Sequence, residues 1–184
     1  GRYDFTKYYK DETKFKMEIN DAKFYADINK FNPPKPVFYN VTFNINGVIY
    51  EKINQSSTIK LDIDLEPGEY IMTIDYDGYK KSIKITVLST LNTTDLEKTY
   101  GSSETFDAHL VDTKGKVYAK QNITFKVNGV SYNRTTDENG TARLNIRLLP
   151  GEYLITTSHN GLNITNRITV LSPDSLVERL KERL

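Results

Sequence analysis

Residues 41–50 read VTFNINGVIY and residues 123–132 read ITFKVNGVSY. In both, apolar and polar residues alternate up to an Asn-Gly pair, and a second run leads away from it. That alternation is the period of a half-buried strand. Asn-Gly suits a two-residue type I′ hairpin because both positions tolerate positive φ. Outward from the hairpins the likeness continues through PGEY at 67–70 and 150–153 to a closing VLS at 87–89 and 170–172. The offset is 82 from Gly47 to Gly129 and 83 from Gly68 to Gly151 and from Leu88 to Leu171, so the second copy gains one residue. A unit of this length exceeds a solenoid repeat and fits a small β domain. The chain is a tandem array of one module.

The second copy spells out the strands. Phe106, Ala108 and Leu110 alternate with Thr105, Asp107 and His109, and Ile123, Phe125 and Val127 alternate with Thr124 and Lys126. Asp112–Gly115 and Asp137–Gly140 are turns. Ala142, Leu144, Ile146 and Leu148 form an inward stripe, and Asn160-Gly161 makes a second hairpin. About seven short strands at this spacing predict a sandwich. The first copy follows the same path from Phe15, Met17 and Ile19 to Ile83, Ile85 and Val87, with two departures. Some nine extra residues fall near Ala22–Tyr39, and Gln55–Thr58 replaces the second copy's glycine turn. After Ser172-Pro-Asp-Ser175, Leu176, Leu180 and Leu184 recur every fourth residue, the mark of a short amphipathic helix. Such a helix docks on the second sandwich, leads into a further domain or pairs with a copy of itself. The predicted fold is all-β: two tandem Ig-like antiparallel β-sandwiches with a short C-terminal helix. Residues 1–90 hold the first sandwich with an inserted aromatic and proline loop (22–39), 91–172 the second, and 173–184 the helix.

The 25 basic and 24 acidic residues nearly cancel, which gives no electrostatic footprint for nucleic acid. The absence of Cys excludes disulfides and thiolate zinc sites. No apolar stretch reaches the length of a membrane span. With no leader visible and a start at Gly1, the chain reads as a segment of a longer protein. An intramolecular isopeptide bond needs a buried lysine, and no lysine here reads as the centre of a buried strand.

Leu65-x-Pro67-Gly68-x-Tyr70 and Leu148-x-Pro150-Gly151-x-Tyr153 fit a tyrosine corner, in which the hydroxyl reaches back to the backbone. His109 and His159 lack any strained nucleophile turn beside them, so no catalytic residue is assigned. Asp62, Asp64 and Glu66 share one face of a strand, and Asp137, Glu138 and Asn139 crowd a turn. Neither has the spacing of a calcium loop, so neither metal nor cofactor is expected. Within the insert, Phe24, Tyr25, Phe31 and Phe38 stand among prolines, either tucked over the end of the sandwich or presented to a sugar ring or a partner's pocket. Asn-x-Ser/Thr sequons begin at Asn40, Asn54, Asn92, Asn122, Asn133, Asn139 and Asn163. Chance placement of the 16 Asn and 30 Ser or Thr yields about 2.6. A strand face rich in Asn and Thr accounts for part of the excess, and glycan acceptors of an exported protein account for the rest.

The phrases VTFNINGVIY, TTDENGTARLNIRLLPGEY and NRITVL resemble the repeated Ig-like modules of adhesin-like surface proteins of methanogenic archaea, within the wider bacterial Ig-like repeat group. The resemblance spans nearly all of the second copy and most of the first; the insert and the terminal helix depart from it. It implies an extracellular, cell-wall-associated stalk or binding segment with no catalytic residues. The partner implied is a cell-surface protein or glycan of another cell, or a cell-wall polymer. The competing expectation is a pair of spacer domains that support an enzyme or wall-binding domain elsewhere in the parent protein.

Overall fold

Seven strands of the first module lie at Phe5–Tyr8 (β1), Phe15–Glu18 (β2), Tyr39–Ile45 (β3), Val48–Asn54 (β4), Thr58–Leu61 (β5), Gly68–Tyr76 (β6) and Tyr79–Leu88 (β7). The computed structural model describes residues 4–19, 38–54 and 56–183. Contacts divide the chain into two compact units, Gly1–Ser89 and Thr90–Leu184. In the first, a five-stranded sheet in the order β1-β7-β6-β3-β4 accompanies the two-stranded β2-β5 sheet.

The second unit repeats this plan with eight strands: Leu91–Thr93 (β8), Leu96–Thr99 (β9), Thr105–Leu110 (β10), Asn122–Val127 (β11), Val130–Thr135 (β12), Thr141–Asn145 (β13), Gly151–His159 (β14) and Leu162–Leu171 (β15). Its sheets run β12-β11-β14-β15-β9 and β13-β10-β8. The opening stretch of this unit is shared between its two sheets. β8 pairs antiparallel with β10, the chain kinks, and β9 pairs parallel with β15. Asp95 fixes the kink, accepting from the Arg167 backbone N–H at 2.9 Å and from Asn166 Nδ2 at 3.1 Å. Both modules are Ig-like sandwiches.

The hairpins and the core follow from the repeated phrases. Asn46 and Gly47 sit at φ 51° and 83°, and Asn128 and Gly129 at 54° and 75°. These are the two positive-φ positions of a type I′ turn, and they fix the register that faces Phe43 and Phe125 inward. Phe125 meets Phe106 of the opposite sheet edge-on, with centroids 5.9 Å apart and planes at 89°. Phe43 meets Phe15 in the same way at 6.1 Å and 81°. Phe43, Phe106 and Phe125 are essentially fully buried, each worth about 2–3 kcal/mol of transfer free energy. Around these pairs lie Val41, Ile59, Met72 and Ile85 in the first module, and Ala108, Ile123, Ile155 and Ile168 in the second.

A helix, α1, spans Pro173–Glu182 after β15. Proline takes the favoured first helical position and Asp174 lies in the first turn, where the helix dipole favours an anion. Leu180 stands 56% exposed.

Candidate functional site

Each module contains a buried lysine, against the expectation that none occupies a strand centre. Lys98 in β9 is 4% exposed, and its Nζ donates to the carbonyls of Ser102 (2.8 Å), Glu104 (3.0 Å) and Ile146 (3.0 Å). Lys7 in β1 is 8% exposed and donates to the carbonyl of Ile63 at 2.5 Å. The acceptors are main-chain oxygens rather than a side-chain amide or carboxyl, so this is hydrogen bonding and not isopeptide geometry. Sequence reading passed over both lysines because each stands at the apolar position of a strand. The available signal was that each precedes a matching tyrosine (Tyr9, Tyr100) by two residues.

The same segments carry the tyrosine corners. Tyr70 Oη donates to the carbonyl of Glu66 at 2.7 Å, and Tyr153 Oη donates to that of Leu149 at 2.8 Å. Residues 62–66 are not the continuous strand expected of Asp62, Asp64 and Glu66, because β5 ends at Leu61. In the second module β13 ends at Asn145, partway through the predicted stripe. The physical reason is shared. Carbonyls left without a strand neighbour take other donors, and in this stretch those of Ile63, Glu66, Ile146 and Leu149 accept from a lysine or tyrosine side chain.

Beside each lysine lies an open groove of about 520 Å³. The first is lined by Lys10, Asp11, Glu12, Lys14, Asp62 and Asp64, with ion pairs Lys10–Asp64 at 3.8 Å and Lys14–Asp62 at 3.5 Å. These side chains are exposed, and such pairs contribute little. The second is lined by Tyr100, Ser102, Ser103, Glu104, Asn145 and Arg147. Among the described residues no three of His, Asp and Glu gather as a metal would require.

Of the insert, Phe24, Tyr25 and Phe31 lie outside the described residues, and Phe38 is 57% exposed. Tyr39, the last residue of the predicted insert, is instead core: it is 2% exposed, begins β3 and packs its ring 6.0 Å from that of Tyr76.

Asn40, Asn92, Asn122, Asn133, Asn139 and Asn163 are all exposed. Asn139 differs from the rest in that its sequon ends in Thr141, which is 5% exposed. Thr141 lends its N–H to Asp137 Oδ1 at 3.0 Å and lies 3.0 Å from His109 Nδ1. Asn54 belongs to β4, at the end opposite Tyr39 in the pairing.

His109 is exposed, and its Nδ1 faces a hydroxyl. His159 sits edge-on to Tyr118 with centroids 6.5 Å apart, and its Nδ1 is buried with no partner. Burial pushes the His159 pKa below its ordinary 6.5. Neither Nδ1 meets the carboxylate that orients a catalytic imidazole. Asp137 is held below the usual carboxylate range, chiefly by the Thr141 backbone N–H and then by the Arg143 side chain. Its Oδ1 is thus taken up by the N–H groups of Asn139 and Thr141 and its Oδ2 by Arg143 of β13.

No protein-family model and no curated protein matches this chain. Solved structures similar to it include the I9–I11 tandem of titin, at 16% identity and a TM-score of 0.39, with 92% of this chain and 63% of that one covered. Domains 4–9 of the surface-layer protein SbsC are 18% identical with a TM-score of 0.32, covering 72% of this chain and 22% of that one. Invasin, a bacterial integrin-binding protein, is 17% identical with a TM-score of 0.32, covering 91% and 37%. The chain spans less than two thirds of each of these structures. Likenesses of this degree assign no role to this chain, and integrin binding belongs to invasin.

Proposed function

We propose that this chain is a load-bearing, non-enzymatic stretch of an extracellular adhesin-like surface protein, a stalk that also presents a contact segment. The observation that carries the reading is the parallel pairing of a strand near the start of each module with the module's last strand. β1 lies against β7 from Phe5↔Ile85 to Tyr8↔Leu88, and β9 lies against β15 from Ile168↔Leu96 to Leu171↔Thr99. Tension along the chain pulls such a pair in opposite directions along its length. The hydrogen bonds then share the load in shear instead of opening one at a time. Lys7 and Lys98 sit within those strands and tie them to the opposite side of the sandwich. The resemblance of the repeated phrases to adhesin-like modules supports a cell-surface setting.

Stretching single molecules of the chain tests this. Two separate cooperative ruptures are expected, each releasing on the order of 30 nm of polypeptide, and Lys98→Met should lower the force of one of them. Gradual extension at low force would overturn the load-bearing role.

Contact is assigned to the insert through Phe24, Tyr25, Phe31 and Phe38, with a surface protein, glycan or wall polymer as partner. Because Tyr39 is core, the informative variant replaces residues 22–38 with a Gly-Ser linker of equal length. Unchanged binding to intact cells and to isolated wall material would remove the insert from the site.

A further inference from the structure

Three of the seven sequons lie together on the outer face of one sheet. In the second module β11 pairs with β12 so that Asn122 stands opposite Thr135 and Thr124 opposite Asn133. Each asparagine of the sequons Asn122-Ile-Thr124 and Asn133-Arg-Thr135 therefore faces the threonine of the other. The row continues across the sheet, because Thr124 pairs with Ser158 and Ser158 with Asn163. Asn163 opens the sequon Asn163-Ile-Thr165. These side chains point away from Phe125, Ile155 and Ile168, since alternate residues of a strand face opposite sides. Thr124 Oγ1 donates to Asn133 Oδ1 at 2.9 Å, and Ser158 Oγ donates to Asn163 Oδ1 at 2.6 Å. Both contacts engage the amide oxygen, not the Nδ2 that a sugar would occupy.

The spacing leaves room for three substituents. Asn133 and Asn163 are separated by three strand-to-strand steps, about 14 Å. The step along β11 from Asn122 to Thr124, the row's member on that strand, is about 7 Å. The first module serves as a comparison within the chain. Asn40 matches Asn122 at the offset of 82, but Glu51 stands where Asn133 does, and Lys80 and Ser82 stand where Asn163 and Thr165 do, at 83. A strand's tendency to generate Asn-x-Thr does not explain why one copy of the module concentrates acceptors that the other lacks.

We infer that the outer face of β12-β11-β14-β15 is a glycan-bearing face, modified at Nδ2 of Asn122, Asn133 and Asn163. In the modification, Nδ2 attacks the anomeric carbon of a polyprenyl-phosphate-linked oligosaccharide. The N–C bond forms as the C–O bond to phosphate breaks. The lipid phosphate departs with the electron pair, and the amide gives up one proton to a base of the transferase. A transferase acting on the folded chain must also reach the sequon hydroxyl. Thr135 and Thr165 are exposed and Thr124 is half-buried, whereas Thr141 is buried, so Asn139 stays bare. Carbohydrate on this face reserves it from protein contacts and leaves docking to other surfaces.

This inference rests on the cell-surface reading, so the experiment separates the two. The protein is recovered from the cells that make it, after biotinylation of intact cells with an impermeant reagent. Its peptides are then mapped by mass spectrometry. Biotin labelling with sugar mass on all three asparagines and none on Asn139 is the expected result. A labelled chain lacking sugar on any two of the three overturns the glycan face and leaves the surface reading standing. An unlabelled chain overturns the surface reading and this inference with it. The variant N122Q/N133Q/N163Q should lose the carbohydrate mass carried by the peptides of β11, β12 and β15 while keeping its circular dichroism spectrum. Carbohydrate persisting on the peptides of β11, β12 and β15 in the triple variant also overturns the inference.

Discussion

Lys98 Nζ lies 3.0 Å from the carbonyl oxygen of Ile146, which joins β9 in one sheet to the segment leaving β13 in the other. Lys7 and Ile63 form the same link in the first module. The lysines are 91 residues apart and the isoleucines 83, so the link is kept although the spacing between its ends differs. In these two cysteine-free sandwiches, the contact fills part of the role of a bridge between sheets. It ties the strand that carries the lysine to the far side of the core, and it supplies a donor to carbonyls that no strand neighbour reaches.

Replacing Lys98 with methionine keeps most of the side-chain volume and removes the donor from three carbonyls. Loss of charged hydrogen bonds and stranding of buried acceptors should cost about 2–3 kcal/mol, after allowing for relief from burying the ammonium. Hydrogen exchange of the intact chain separates the modules. Protection of the β14 and β15 amides should fall by on the order of 30-fold while that of β6 and β7 is unchanged, and Lys7→Met should reverse the pattern. Wild-type protection in Lys98→Met would mean that the carbonyls find water without loss.

Gly140 closes the turn that holds the second module's extra residue. Its φ is +74°, and a Cβ there would fall 2.5 Å from the carbonyl oxygen of Leu110. That carbonyl accepts from Tyr118 N–H at 3.1 Å, and Leu110 N–H donates to the Gly140 carbonyl at 2.8 Å, so neither group can easily retreat. Gly140→Ala should therefore destabilise the second module by on the order of 2 kcal/mol or more. Calorimetry should show that module's melting temperature fall by roughly 10 °C. An unshifted transition would show that the turn relaxes at little cost.

How much of this was legible in the sequence depended on whether a residue's role was local. Asn128-Gly129 announces its turn through backbone preference alone, and Phe106, Ala108 and Leu110 announce an inward face through their period. The opening strands escaped notice because Leu96-Glu-Lys98-Thr and Phe5-Thr-Lys7-Tyr place a lysine where the pattern demands an apolar residue. The ammonium is tolerated there by carbonyls of the turn that follows, Ser102 and Glu104, and of the distant Ile146, contacts that no strand period encodes. Tyr39 was misassigned to the insert for the opposite reason: an aromatic beside prolines looks like loop, and only its pairing with Asn54 makes it strand. The glycan face combines both kinds of information. Sequons are local, but their gathering depends on the register Thr124↔Ser158.

Acid should weaken the second module in two stages. Burial holds His159 below its ordinary pKa of 6.5, so the unfolded chain takes up that proton first. The corresponding stability is present above pH 6.5 and is lost as pH falls toward the folded value. Asp137, Asp112 and Asp95 are likewise held below their ordinary 3.8, chiefly by the backbone N–H groups of Thr141, Lys116 and Arg167 in turn. Their contribution is intact above pH 3.8 and disappears as pH drops through the lowered values. Urea midpoints measured from pH 7.5 to 2.5 should therefore fall below about pH 6.5 and again below about pH 4. His159→Gln should flatten the upper fall. Asp137→Asn should be less stable than wild type near neutrality and converge on it in strong acid, because the carboxylate it replaces is protonated there. A gap between Asp137→Asn and wild type that is as wide at pH 2.5 as at pH 7 would show that the turn depends on the shape of the side chain and not on its charge.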